Sequence, residues 1–200
     1  MLDRAARRLI DPVLDQLAGV AHERRLTPDQ ITVAGFVCGL ASMAAIALQS
    51  YELGLLLLLA NRLADGVDGA LARRTGATDL GGYLDIVLDF IIYSGAVFAF
   101  AVAQPDHAIA AAFLIFSFMG TGSSFLAFAI FAAKRKLDGE AAGNKSFYYL
   151  GGITEGTETI LLFVAILLFP SWFAAAAYFY GALCWLTTIG RIGAAVQRLR

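Results

Sequence analysis

The densest chemistry in this 200-residue chain is carried by four aspartates. They stand in Asp65-Gly66-Val67-Asp68-Gly69-Ala70-Leu71-Ala72-Arg73 and, after a short gap, in Gly81-Gly82-Tyr83-Leu84-Asp85-Ile86-Val87-Leu88-Asp89. Asp65 and Asp68 are three residues apart, and Asp85 and Asp89 are four apart, so each pair shares one face of a helix. An acid inside an apolar helix costs several kcal/mol and marks a site. Four carboxylates in one place repel each other and stay ionised only beside cations. An all-oxygen donor set of this density suits Mg²⁺ or Mn²⁺, with room for two ions. Two such ions can clamp a diphosphate and stabilise in-line displacement at phosphorus.

The elements that must position these acids follow from composition. Hydrophobic residues make up 59% of the chain and charged residues 16%. Mean hydropathy is +0.71. Soluble domains carry about 45–50% apolar and about 25% charged residues. Disorder, a soluble enzyme core and a disulfide-stapled secreted domain are therefore excluded. The net charge of −1 excludes nucleic acid as a partner. Cys38 and Cys184 both sit in apolar runs and read as small buried hydrophobes.

A helix needs about 20 mostly apolar residues to span a bilayer. Six segments qualify, at approximate bounds Ile31 to Gln49, Leu53 to Ala72, Leu80 to Ala103, Ala108 to Ala133, Glu155 to Phe169 and Trp172 to Val196. The expected fold is an all-α membrane protein, a single domain over residues 1–200. Residues 1–26 precede the first span as a juxtamembrane segment. There, Leu2, Leu9, Val13, Leu17 and Val20 recur at helical spacing opposite Arg4, Arg7, Arg8, Asp11 and Asp15. This predicts an amphipathic helix lying in the membrane interface against lipid headgroups, broken in two at Asp11-Pro12. Thr27-Pro28-Asp29-Gln30 then marks the start of the first span, with an N-cap Thr, Pro at the first helical position and Gln at the capping-box position.

Basic residues cluster at one set of ends: Arg4, Arg7, Arg8, Arg24 and Arg25; Arg73 and Arg74; Lys134, Arg135, Lys136 and Lys145; Arg191, Arg198 and Arg200. The opposite connections, near Glu52, Gln104 to His107 and Pro170-Ser171, hold no Lys or Arg. The positive-inside rule then puts both termini in the cytoplasm, which an even number of spans allows. Counted inward at 1.5 Å per residue, Asp65 and Asp68 lie roughly 20 and 24 Å along span two. Asp89 and Asp85 lie roughly 22 and 28 Å along span three. All four fall in the cytoplasmic third of a core about 30 Å thick. Gly66, Gly69 and Ala72 leave the helix surface bare beside them, where a nucleotide could approach the backbone, and Arg73 could pair with a phosphate.

The run Asp-x-x-Asp-Gly-x-x-Ala-Arg followed by Gly-x-x-x-Asp-x-x-x-Asp, unbroken from Asp65 to Asp89 with Gly81 as the spaced glycine, resembles the signature of the CDP-alcohol phosphotransferases. Six spans, an interfacial N-terminal helix and a cytoplasmic-side site are also similar to that family. The resemblance implies transfer of a phosphatidyl group from a CDP-linked lipid donor, CDP-diacylglycerol, to a small alcohol acceptor, with release of CMP, in phospholipid biosynthesis. It implies Asp65, Asp68, Asp85 and Asp89 as metal ligands and Asp89 as general base toward the acceptor hydroxyl. Gly69, Ala72 and Arg73 would line the nucleotide pocket. The family's Pro-Asn-x-x-Thr at the start of span one reads Pro28-Asp29-Gln30-Ile31-Thr32 here. This implies Asp29 and Thr32 in the CDP site, with Asp29, where the family has Asn, accepting from the cytosine amino group. The compact size resembles the bacterial lipid-donor enzymes, so the expected location is a bacterial inner membrane. The resemblance also raises the expectation of a homodimer.

Weaker signals surround the site. Lys134 and Arg135, with Lys136 and Lys145, either bind a phosphorylated acceptor or serve topology and headgroup attraction. Arg191, between Gly190 and Gly193, is the better single acceptor candidate. Glu155 and Glu158 either complement a helix dipole or shape the acceptor site. Gly35-x-x-x-Gly39 is either a dimer face or an internal contact. Arg62, one turn before Asp65, needs a carboxylate partner, Asp65 or Asp89. Two rival functions remain: an aspartate-lined cation transporter and a membrane prenyltransferase acting on a diphosphate. The transporter needs polar groups through the whole membrane, but Leu53 to Leu59 and Ala96 to Val102 are apolar. The prenyltransferases resemble a larger bundle with differently spaced acids.

Overall fold

The computed structural model describes residues 3–135 and 152–199, with side chains described from Ile10 onward. Among the described residues, seven α-helices account for most of the chain: α1 (Asp3–Glu23), α2 (Pro28–Ala47), α3 (Tyr51–Thr75), α4 (Asp79–Ala103), α5 (Ala108–Lys134), α6 (Gly156–Leu168) and α7 (Phe173–Leu199). Single 3₁₀ turns at Pro105–His107 and Pro170–Trp172 lead into α5 and α7. Among the described residues there is no strand.

Among the described residues, four segments are long and apolar enough to cross a membrane: Pro28–Ala47, Asp79–Ala103, Pro105–Lys134 and Pro170–Leu199. Helix α3 has the length, at 25 residues, but Glu52, Arg62, Asp65, Asp68, Arg73 and Arg74 reduce its hydropathy. Helix α6 is apolar but has only 13 residues. At 1.5 Å per residue it is roughly 20 Å long, shorter than the hydrocarbon core. Leu56, Phe98, Ile109, Met119 and Phe179 each leave more than 60% of their surface exposed. In water such a shell would be a liability; against acyl chains it is the ordinary exterior.

The helices close a ring in which α2 packs on α3, α3 on α6, α6 on α7, α7 on α5, α5 on α4 and α4 on α2. The core it encloses is aromatic and aliphatic. Phe100 and Phe173 stack at 4.5 Å with rings 5° from parallel, and Tyr51 stacks on Phe100 at 5.6 Å. Phe163, Ile92, Leu114 and Ile166 are all but inaccessible around them. Although consecutive, α3 and α4 make almost no close backbone approach to each other. Helix α2 lies against both, and its glycines are the reason. A Cβ on Gly35 would sit 2.7 Å from the Ala64 Cβ, and one on Gly39 would sit 2.4 Å from Ile92 Cδ1. The Gly35-x-x-x-Gly39 stripe is thus an internal contact that seats α2 on α3 and α4.

Helix α1 corrects one expectation. Pro12 lies inside an unbroken helix rather than splitting it. Proline removes one backbone hydrogen bond, but the turns after it bury Leu14, Ala18 and Ala21 against Val67, Ala70 and Leu71. That packing, and an Arg74 Nη2 bond to the Asp15 carbonyl at 2.7 Å, outweigh the lost bond. Val13, Leu17 and Val20 stay exposed on the other side. They belong to the apolar stripe expected for the interface, whose Leu2 and Leu9 lie outside the described side chains.

Filling the α2 contact should be costly. Gly39→Val should destabilise the chain by about 1–3 kcal/mol, read as a lower melting temperature in detergent. Gly190→Ala, where nothing lies within 4 Å of an added Cβ, should not lower it.

Candidate active site

The site begins with two helix starts. Thr27 and Gln30 form a reciprocal capping box, with Gln30 N donating to Thr27 Oγ1 at 3.3 Å and Thr27 N to Gln30 Oε1 at 3.0 Å. This fixes the phase of α2 so that Thr32 faces α3. Between the two acid pairs, Gly76 takes φ 103°, a left-handed conformation suited to glycine, and ends α3. Thr78 then caps α4 by accepting from Gly81 N at 3.0 Å.

From these helices the four aspartates converge. One carboxylate oxygen from each of Asp65, Asp85 and Asp89 lies within 4.8 Å of the others. Asp68 is 6% exposed and accepts a hydrogen bond from Thr32 Oγ1. The Pro28 carbonyl lies 3.0 Å from the same hydroxyl. All four carboxylates, with Thr32 and Arg62, line one cleft closed on its apolar side by Phe36, Leu88 and Ile92.

Arg62 meets both partners anticipated for it. Its Nη2 is 2.7 Å from Asp89 Oδ1, and its Nη1 is 3.8 Å from Asp65 Oδ2. One guanidinium against four carboxylates leaves an excess of three negative charges when all are ionised. In a half-buried cleft that excess calls for cations. The donor set fits hard divalent ions. Oxygens around Mg²⁺ or Mn²⁺ at about 2.1 Å stand up to about 4.2 Å apart, so the 4.8 Å cluster needs only a small contraction to form a shell.

The remaining expected residues divide. Asp29 is half-buried beside the start of α4, its Oδ1 3.4 Å from where a Cβ on Gly81 would sit. An added Cβ on Gly69 would meet only the flexible tip of Arg73, Nη1, at 3.7 Å, an ordinary contact. Ala72 is half-buried and Arg73 exposed. Gly66 departs from expectation. An added Cβ would meet Leu14 Cδ1 at 2.8 Å, so its bare surface is occupied by α1 instead of standing open. Lys134 and Arg135 are exposed at the end of α5 and do not line the cleft. Lys136, Lys145 and Arg200 lie outside the described residues. Arg191 is 8% exposed, donates Nη1 to the Thr121 carbonyl at 3.0 Å and stacks over Phe125 at 5.6 Å. Glu155 and Glu158 cap α6 reciprocally.

Two further residues complete the site beyond those expected from sequence. Asn61 is 4% exposed, accepts from Arg62 through Oδ1, and donates to the Gly35 carbonyl at 2.9 Å. Tyr93 receives Arg62 Nη1 at 3.0 Å on its hydroxyl. Their signals were present: Asn61 is a second polar residue beside Arg62 in an apolar run, and Tyr93 stands one turn beyond Asp89.

The sequence matches the CDP-alcohol phosphatidyltransferase family over residues 25–191, and the chain belongs to that family of membrane transferases. It is 52% identical over 193 residues to the inner membrane protein YnjF of Escherichia coli, covering 96% of this chain and 94% of that one. It is 28% identical over 201 residues to archaetidylinositol phosphate synthase of Pyrococcus horikoshii, covering 100% and 98%. Its fold is shared with phosphatidylinositol phosphate synthase (PgsA1) of Mycobacterium tuberculosis. The structure of that enzyme with CDP-DAG superimposes with a TM-score of 0.70 at 18% identity, covering 92% of this chain and 94% of that one. The structure with manganese and citrate gives 0.71 at 19%, covering 91% and 88%.

Mn²⁺ titration followed by electron paramagnetic resonance should show saturable binding to the purified protein. Asp85→Asn should weaken it by at least about tenfold, the scale on which lost groups at a metal site register. Unaltered binding in that variant would separate the carboxylate cluster from metal.

Proposed function

We propose that this enzyme transfers a phosphatidyl group from CDP-diacylglycerol to a small hydroxyl acceptor and releases CMP. The observation that carries this reading is the convergence of Asp65, Asp85 and Asp89 within 4.8 Å, with Asp68 in the same cleft. The CDP-DAG bound to the structurally similar mycobacterial synthase supports the donor. The manganese in its other structure supports a divalent metal. Asp65, Asp68, Asp85 and Asp89 would hold Mg²⁺ or Mn²⁺, two ions in this reading. A loaded carboxylate site of this kind supplies charge neutralisation for a diphosphate and for the departing CMP.

The chain's own residues divide the remaining work. Gly69, Ala72 and Arg73 border the acids on α3, where the backbone surface at Gly69, met only by the flexible tip of Arg73, admits a nucleotide. Asp29 and Thr32 flank them from α2 on the CDP side, where Asp29 would accept from the cytosine amino group. Asp89 takes the proton of the acceptor hydroxyl as its oxygen attacks the lipid-side phosphorus. A new P–O bond forms, the bond from that phosphorus to CMP breaks, and the lipid keeps the phosphoryl group. Arg191 would receive a phosphorylated acceptor, and Lys134 and Arg135, exposed at the end of α5 outside the cleft, would attract its charge.

In this reading α2 to α7 provide six crossings, with both termini and the cleft toward the cytoplasm of a bacterial inner membrane. Helix α1 lies along the headgroups. A second copy of the chain enters only through the family likeness, since the Gly35–Gly39 stripe is filled by α3 and α4. Buried apolar residues beyond Asp89, including Leu58, Val97 and Phe100, seal the far side and weigh against a transport pathway.

CMP release from CDP-diacylglycerol in detergent, with Mg²⁺ or Mn²⁺ and a panel of alcohols, tests the reading and identifies the acceptor. Exhaustive chelation should abolish turnover. Asp89→Asn should lower it by about 10²- to 10⁴-fold while the protein still elutes as a folded species. Undiminished CMP release in that variant removes Asp89 from the base role.

A further inference from the structure

We propose that Arg62 is a positioning residue for Asp89: clamped by Asn61 and Tyr93, it holds one oxygen of that carboxylate and leaves the other to the cleft. This rests on the transferase reading above and adds a residue to its machinery. All three guanidinium nitrogens are used. Nη2 reaches Asp89 Oδ1 at 2.7 Å and Asn61 Oδ1 at 2.7 Å. Nε donates to the same Asn61 oxygen at 2.9 Å. Nη1 donates to the Tyr93 hydroxyl at 3.0 Å, and the guanidinium carbon lies 5.1 Å from the centre of that ring.

The clamp is itself anchored. Asn61 Nδ2 donates to the Gly35 carbonyl at 2.9 Å. The chain of contacts therefore runs from the α2 backbone through two side chains of α3 to Asp89 on α4. Tyr93, one turn along α4, ties Arg62 to the same helix as Asp89. A counter-ion alone would need only charge, which lysine also provides. Only a planar fork can hold these three partners in fixed directions. Arg62 is 8% exposed at its side chain against 27% for Asp89, so the clamp is buried and the working carboxylate is not. Orientation matters here because a base must lie within hydrogen-bond reach of the proton it takes. Misplacement by about 1 Å can cost about 10²-fold.

Arg62→Lys keeps the charge and removes the fork. In the purified full-length protein it should lower kcat for CMP release about 10- to 100-fold, with KM for CDP-diacylglycerol within about twofold of wild type. It should also weaken Mn²⁺ binding, read by electron paramagnetic resonance without turnover, by at least about threefold. Tyr93→Phe keeps the ring and deletes the acceptor, and should lower kcat by about three- to tenfold. If Arg62→Lys matches wild type in kcat and Mn²⁺ affinity, charge alone suffices and the inference fails. It fails too if only thermal stability drops while kcat per folded molecule holds, or if KM rises with kcat unchanged. Should Arg62→Lys not accumulate, Tyr93→Phe decides by the same criteria. If wild type releases no CMP with any acceptor, the transferase reading falls, while the Mn²⁺ measurement still tests the clamp.

Discussion

Everything in this fold answers to the cost of placing four carboxylates in the wall of an apolar bundle. Uncompensated, each would be several kcal/mol out of place. The chain meets this cost in three ways. It keeps the acids on a cleft, it gives Asp68 the Thr32 hydroxyl, and it buries Arg62 against Asp89. The excess negative charge that remains is what fits the cleft for divalent cations. The same site without that excess would be a stable but inert polar seam.

The packing around the cleft follows from this constraint. Were α3 and α4 in close backbone contact, their acids would be forced together or squeezed out toward lipid. Instead they stand apart, and α2 carries the load by lying on both through Gly35 and Gly39. The aromatic core beyond, with Phe100 between Tyr51 and Phe173, closes the ring of helices on the side away from the acids. Helix α1 adds a brace at the open end, seating Leu14 against Gly66, next to Asp65 itself. The small residues near the acids thus have different duties: Gly66 admits a helix, and Gly69 meets only the flexible tip of Arg73.

Much of the helical plan is legible in the chain itself. The capping box at Thr27 and Gln30 appears as anticipated because a cap is a local bargain between neighbouring residues. Hydropathy also delimits most helices closely, since lipid leaves the backbone no alternative to helix. Pro12 reads as a break from sequence because its local penalty is visible there, whereas the contacts of Leu14, Ala18 and Ala21 that offset it are not. Arg62 had to find a carboxylate, but Asn61 and Tyr93 went unnoticed as its other partners. Their roles depend on which faces of α3 and α4 meet, a matter of relative rotation that no single periodicity encodes.

By itself the sequence determined the helices, the apolar character of their surfaces, and a signature from Asp65 to Asp89 whose acids must meet cations. Those properties depend on spacings of three and four residues and on burial costs that hold wherever the helices end up. Only the tertiary structure decided that α2 fills the gap between α3 and α4, that Gly66 is spent on α1, and that Arg62 joins Asn61, Tyr93 and Asp89. Each depends on the rotation and separation of whole helices, set by packing across the ring between residues far apart in the chain.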